Sequence, residues 1–370
     1  MNDTHIATER RNATPAERGF SMPAEFAAHD ACWMLWPQRP DNWRYGAKPA
    51  QAAFVAVARA IAESETLFVG VNDDQYENAR NQLPMHIRVI ELSNNDAWMR
   101  DIGPTFLTHP DGRLAMVDWE FNAWGGLNGG LYFPWDKDRR IRQKIAEILG
   151  IERFITPLVL EGGAIHVDGE GTLITTEECL LNPNRNPDLD KAEIERLLCV
   201  YLGVEKVIWL PRGCFQDETD GHVDNLCCFV APGEVALTWT DDESDPQQAI
   251  SREALAILEA ATDARGRRLT VHKLPMPGPL TIAETEASGV DRLSSSRPRQ
   301  PGDRMAGSYV NFYIGNAVVV MPKLDPAYDD EARMILERLF PNRRVVAVDA
   351  REILLGGGNI HCITQQQPRA

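Results

Sequence analysis

From residue 19 to the C-terminus, stretches with strand periodicity alternate with stretches of helical periodicity, and no linker separates them. That alternation confines the chain to α/β folds, in which helices cross over between neighbouring strands. PAQAAFVAVARAIA (49–62) spaces its apolar residues as a helix, and TLFVGV (66–71) follows as a strand. A short helical piece starts at Asp73, and IRVIEL (87–92) reads as the next strand. In WDKDRRIRQKIAEIL (135–149) the positions of Ile141, Ile145, Ile148 and Leu149 predict a helix. Further helices are expected at 189–202, 247–260 and 328–339. Strands are expected near 206–210, 223–230, 235–239, 310–314, 317–321 and 345–349. Residues 1–18 read as a mobile arm, and 19–370 as one domain.

Short turn-plus-polar segments echo one another along the chain: RDIGP (100–104), EGGAIHVDG (161–169), TDGHVDN (219–225), AGSYVNF (306–312) and GGGNIHC (356–362). They fit repeated modules that point their strand ends at one centre. Their identity is too low to establish repeats, and ordinary strand–turn chemistry is the simpler expectation.

Composition narrows the partners. With 54 acidic and 38 basic residues the chain carries a net charge of −16, so neither nucleic acid nor an anionic membrane surface is expected to bind it. The polar N-terminus lacks an apolar signal core, and AAFVAVARAIA near residue 52 is too short to span a bilayer. Seven cysteines form no CxxC pair, which points to free thiols in a reducing cytoplasm rather than disulfides or a Cys-rich zinc site.

Four segments carry chemistry. In REILLGGGNIHCITQQQP (351–368) three glycines, including Gly357, lead to Asn359, His361 and Cys362. A thiol beyond a flexible, uncrowded turn suits a nucleophile reached from solvent, although a buried structural cysteine is the commoner case. In FQDETDGHVDNLCCF (215–229) His222 and Asp224 sit at i and i+2, on one face if the backbone is a strand, with Asp217, Glu218 and Asp220 around them. Cys227 and Cys228 read as core. In NNDAWMRDIGPTF (94–106) Asp96, Trp98, Arg100 and Asp101 precede a strand, and a Trp beside exposed carboxylates offers a seat for a flat cation. In LVLEGGAIHVDGEG (158–171) Glu161 precedes two glycines. Each carboxylate segment could equally be a capped, solvated turn. Together they supply a thiol, a histidine and carboxylates that pair bidentately with guanidinium, a set suited to covalent chemistry on a guanidine.

At these residues the sequence resembles the agmatine deiminases of the guanidine-modifying superfamily, which also holds the peptidyl-arginine deiminase-like proteins. WMRDIGPTF, LEGGAIHVDGEGTLITTEECLLNPNRNP, DETDGHVDNLCCFVAPGEV, SYVNFYIGN and GGGNIHCITQQQP carry the likeness, in order and over nearly the whole chain. The resemblance implies the pentein fold, a five-fold pseudosymmetric α/β propeller, and conversion of agmatine and water to N-carbamoylputrescine and ammonia. It implies Cys362 as nucleophile, His222 as general acid/base, Asp101 and Asp224 as the guanidinium-binding pair, and Glu161 either orienting His222 or joining the guanidinium contacts. Trp98 is expected to flank the substrate's methylenes, with Glu218, Asp96 or Asp220 toward its ammonium, and Gly357 and Asn359 beside it. No metal or cofactor is implied; a homodimer or larger homo-oligomer and a place in polyamine biosynthesis are. IAETEASGVDRLSSSRPRQPG (282–302) fits least and reads as a variable surface loop.

Two rivals remain at this stage. DGHVD (220–224) imitates the Asp-x-His-x-Asp manganese motif of ureohydrolases, and TDDESDP (240–246) imitates their second motif with Thr240 in place of its first Asp. A polyamine- or guanidine-binding protein without turnover could use the same carboxylates and Trp98, but would need no cysteine after GGGNIH.

Overall fold

The structure is a computed structural model and describes residues 13–370. Its strands form five small sheets that share one plan: an antiparallel pair, a crossover helix, and a strand returning parallel to the second. Four sheets follow consecutively: Thr105–Thr108, Leu114–Glu120 and Glu152–Val159; Ile165–Val167, Thr172–Thr176 and Lys206–Leu210; Cys227–Ala231, Glu234–Trp239 and Thr270–Pro275; Tyr313–Ile314, Val318–Lys323 and Arg344–Asp349. The fifth joins the two ends of the chain. Gln365–Pro368 pairs antiparallel with His29–Leu35, which runs parallel to Thr66–Val71 and beyond it Arg88–Glu91. This is the expected five-fold pseudosymmetric pentein propeller.

The crossover helices follow the sequence pattern closely, because each buries one stripe at i, i+3 or i+4 spacing. Lys48–Ala62 buries Phe54, Val57 and Ile61; Lys191–Leu202 buries Ile194, Leu198 and Leu202; Pro246–Ala260 buries Ile250, Ala254 and Leu258. Asp190 and Asp245 cap the second and third of these through their side chains, closing orphan N–H groups of the first turn. Helix Ile141–Leu149 is shorter than the expected 135–149, since a separate 3-10 turn, Asp138–Arg140, comes first and Asn95 N–H donates to Asp138 at 2.6 Å. Among the described residues no helix is long and apolar enough to cross a membrane.

The repeats are real. The five echoing segments each enter the first strand of one sheet, so strand–turn chemistry alone was the wrong reading: Asp101, Glu161, Asp224, Asn311 and Cys362 occupy corresponding places in five modules. The expected strand 223–230 is also corrected. Val223–Asn225 is a 3-10 turn closed by Leu226 N–H on Val223 C=O at 2.9 Å, and the strand starts at Cys227. Residues 1–12 of the expected arm lie outside the described residues. Its remainder does not behave as an arm: Thr14 to Arg18 form a turn, with Arg18 pairing to Glu152.

Candidate functional site

The last module sets the thiol. Cys362 is 8% exposed and lines a cavity with Trp98, Asp101, Trp124, Glu218 and Gly357. Asn311 Nδ2 stands 3.3 Å from its Sγ, and Asp224 Oδ2 stands 3.7 Å away. The glycine turn before it is crowded, not open as expected. A Cβ on Gly357, whose φ of +109° already disfavours other residues, would collide with Glu218 and Arg299; one on Gly358 would lie 2.5 Å from the Trp98 ring. The glycines let the backbone pass between side chains that wall the cavity.

Next to Asp101, His222 lies between two carboxylates, its Nδ1 3.8 Å from Asp101 Oδ2 and its Nε2 3.5 Å from Glu161 Oε2. Both carboxylates are anchored on their other sides. Trp124 Nε1 and the Gly163 N–H each donate to Asp101 at 2.9 Å, and Arg185 Nε donates to Glu161 at 2.8 Å. Gly163 marks where the groups meet: a Cβ there would lie 2.6 Å from His222 Nδ1 and 2.9 Å from both Asp101 Oδ1 and Asp224 Oδ2. His222 and Asp224 thus serve one site from a turn, not from one strand face.

Charge in this closed volume sets the protonation states. Burial, then Asp224 and Asp101, push the Cys362 thiol well above its usual range. Burial opposes the imidazolium of His222, but Asp101, Cys179 and Glu161 outweigh it and raise its pKa well above normal. Burial likewise opposes ionisation of Glu161, yet Arg185 and His222 hold its pKa down to about 2. Burial raises Asp101, helped by the charges of Asp224 and Glu161. The site therefore holds a neutral thiol, a cationic histidine and anionic Glu161, arranged around space for one more cation.

The outer end departs further from expectation. Trp98 is buried beside buried carboxylates, stacks on Trp43 at 5.1 Å between ring centroids and donates to Asp96 at 3.2 Å. Asp96 also receives Trp43 Nε1, Asn42 Nδ2 and the Ala97 N–H, so its side chain is fixed in the cavity wall, where burial raises its pKa against Arg39 and these donors. Glu218 lines it too, paired with Arg299. Asp220 does not belong there: a positive φ of 64° turns it to Arg185 and Asn184, at 2.8 Å each. Asn359 is wholly buried, accepts the Ile360 N–H and does not line the cavity. Arg100 points away to Glu25 at 2.9 Å. The cations on the wall are Arg39, Arg297 and Arg299. The last two lie in 282–302, so that segment walls the site and is not a mere surface loop.

A family model described as Porphyromonas-type peptidyl-arginine deiminase matches residues 21–368. The chain belongs to that family. The agmatine deiminase of Pseudomonas aeruginosa is 60% identical over 358 residues, spanning 96% of this chain and 97% of its own. That of Pseudomonas fluorescens is 58% identical over 359 residues, spanning 96% and 98%. Among solved structures, an agmatine deiminase of Enterococcus faecalis superposes with a TM-score of 0.94 at 48% identity, covering 97% of this chain and 98% of its own. These bear out the resemblance carried by the sequence motifs and place the chain among guanidine-modifying enzymes.

Among the described residues two buried donor groups are close enough to share an ion, Glu25–His166–His361 and Glu161–Cys179–His222. Each already carries a guanidinium, Arg100 on Glu25 and Arg185 on Glu161, which repels a metal cation. Sequence reasoning missed Asn311, Trp124, Arg185 and Arg299 as parts of the site. Only Asn311 had a signal, its place in the echoing AGSYVNF segment.

Proposed function

We propose that this protein hydrolyses agmatine to N-carbamoylputrescine and ammonia through an amidino group carried on Cys362. One observation carries the reading: Cys362 and Asp101 line one cavity, and Asp224 Oδ2, 3.7 Å from the Cys362 sulfur, meets Asp101 Oδ1 and His222 Nδ1 around one point at Gly163. A planar guanidinium docked on both carboxylates presents its central carbon to sulfur. Its positive charge offsets the two anions that suppress the thiol, so the thiol proton leaves to solvent and the thiolate attacks. His222, cationic at rest, protonates the departing nitrogen and ammonia leaves. Neutral His222 then takes a proton from water, whose oxygen bonds to the amidino carbon; the carbon–sulfur bond breaks and the ureido product departs.

The names of the close relatives support agmatine as the substrate, and so does the outer wall, where Asp96 and Glu218 suit an ammonium. The manganese reading loses its basis in geometry, since Asp220 of DGHVD is committed to Arg185, and Asp245 of TDDESDP caps a helix and pairs with Arg304. The proposal includes a cytoplasmic homodimer serving polyamine synthesis, as the family likeness implies. Incubation with agmatine and with arginine, scored for ammonia, urea and ureido product, tests it. Ammonia with N-carbamoylputrescine is expected; urea would favour the ureohydrolase, and binding without turnover would favour the receptor.

A further inference from the structure

Behind Cys362, and outside the steps above, lies a second buried chain of charged groups. His361 Nδ1 is 2.8 Å from Asp224 Oδ2, and its Nε2 is 3.0 Å from both oxygens of Glu25. Glu25 precedes the first strand and belongs to none of the five modules. Arg100 Nη1 donates to Glu25 at 2.9 Å, and His166 Nε2 lies 3.5 Å from it. All five side chains are buried. Asp224 has its Oδ2 engaged by His361, while its Oδ1 is buried without a hydrogen-bond partner.

An imidazole with a carboxylate at each nitrogen satisfies both only by donating from both, that is, as imidazolium. We infer that Glu25 holds His361 doubly protonated, and that His361 is thereby a positioning residue that keeps Asp224 anionic for the substrate guanidinium. A fixed cation here solves a physical problem, because Asp224 lies beside Asp101 and a nascent thiolate with no solvent to disperse the charge. The directions of the pKa shifts agree. Burial opposes ionisation of Asp224, and the hydrogen bond and charge of His361 overcome it. Burial and Arg100 oppose the charge on His361, and Glu25 and Asp224 overcome them. The groups facing His361 are thus Glu25, Asp224, Arg100 and the His166 ring, stacked with centroids 6.2 Å apart. The N-terminal segment becomes part of the active site.

The inference rests on the deiminase reading, but its first test needs no turnover. In the substrate-free wild-type protein, nitrogen NMR of labelled histidine should show both His361 ring nitrogens protonated at pH 8, the signal being assigned by its loss in His361→Gln. A neutral ring at that pH overturns the inference, whatever the substrate is. In Glu25→Gln one acceptor is neutral, so His361 should lose its proton within the assay range. Relative to wild type, kcat/KM for agmatine should then fall at least tenfold between pH 6 and 8.5, mainly through KM, and Glu25→Asp should restore the wild-type profile. A Glu25→Gln profile parallel to wild type at all pH values would reduce Glu25 to a structural part and refute the role.

Discussion

A single methyl group at Gly163 probes the convergence of the catalytic groups more sharply than removing any one of them. In Gly163→Ala the new Cβ would lie 2.6 Å from His222 Nδ1 and 2.9 Å from Asp101 Oδ1 and Asp224 Oδ2, where ordinary contacts begin at 3.4 Å. Its backbone is not in the left-handed region, and its N–H would still donate to Asp101, so only space is perturbed. The three side chains are 2–3% exposed and must retreat by roughly half an ångström or more, where misplacement of about 1 Å can cost 10²-fold in rate. We expect kcat/KM for agmatine to drop about 100-fold, close to 2.7 kcal/mol in the barrier. Overpacking should lower unfolding stability by about 1–3 kcal/mol. Initial rates of ammonia release, with circular dichroism melts confirming a folded protein at assay temperature, measure both. Activity within threefold of wild type would mean that these groups do not close on one point in solution.

Cys362→Ser should reduce turnover to less than about one part in a hundred while the melting curve stays near wild type, since a hydroxyl is a far weaker nucleophile at neutral pH. Glu218→Gln should raise KM for agmatine more than tenfold with kcat little changed, and wild type should prefer agmatine over arginine by at least about a thousandfold, roughly 4 kcal/mol; specificity constants within tenfold of each other would contradict an ammonium seat at Asp96 and Glu218. Buried Asp138 has its pKa raised to about 7 by burial despite hydrogen bonds from Tyr132 and Asn95. The fold thus favours its protonated form, a contribution present below about pH 4 and lost as pH rises through 7, at about 1.4 kcal/mol per unit of pKa difference. Asp138→Asn should therefore gain stability over wild type between pH 4.5 and 8 in urea titrations, and an unchanged difference would place the carboxyl in its ordinary range.

Local chemistry was legible where it depends on neighbours in sequence. Helix positions came within a few residues because burying Phe54, Val57 and Ile61, or Ile194, Leu198 and Leu202, requires one periodic stripe. Cys362, His222, Asp101, Asp224 and Glu161 stood out beside turn glycines, and the structure brings all five together. Asp220 misled because its neighbour His222 is in the site, whereas one residue in a positive-φ conformation sends its own side chain elsewhere.

By itself the sequence determined the α/β class and the family motifs, and through them singled out the residues proposed to react, since periodicity and motif are properties of the chain alone. Tertiary structure alone decided which charges meet. Arg185 reaches Glu161 across 24 positions, Glu218 meets Arg299 across 81, and His361 joins Glu25 across 336. Coulomb energy depends on distance and on the water excluded between charges, neither of which is a function of separation along the chain. Closing the propeller between the strand before Pro368 and the strand after Ala28 therefore turns an N-terminal glutamate into a neighbour of the active-site histidine.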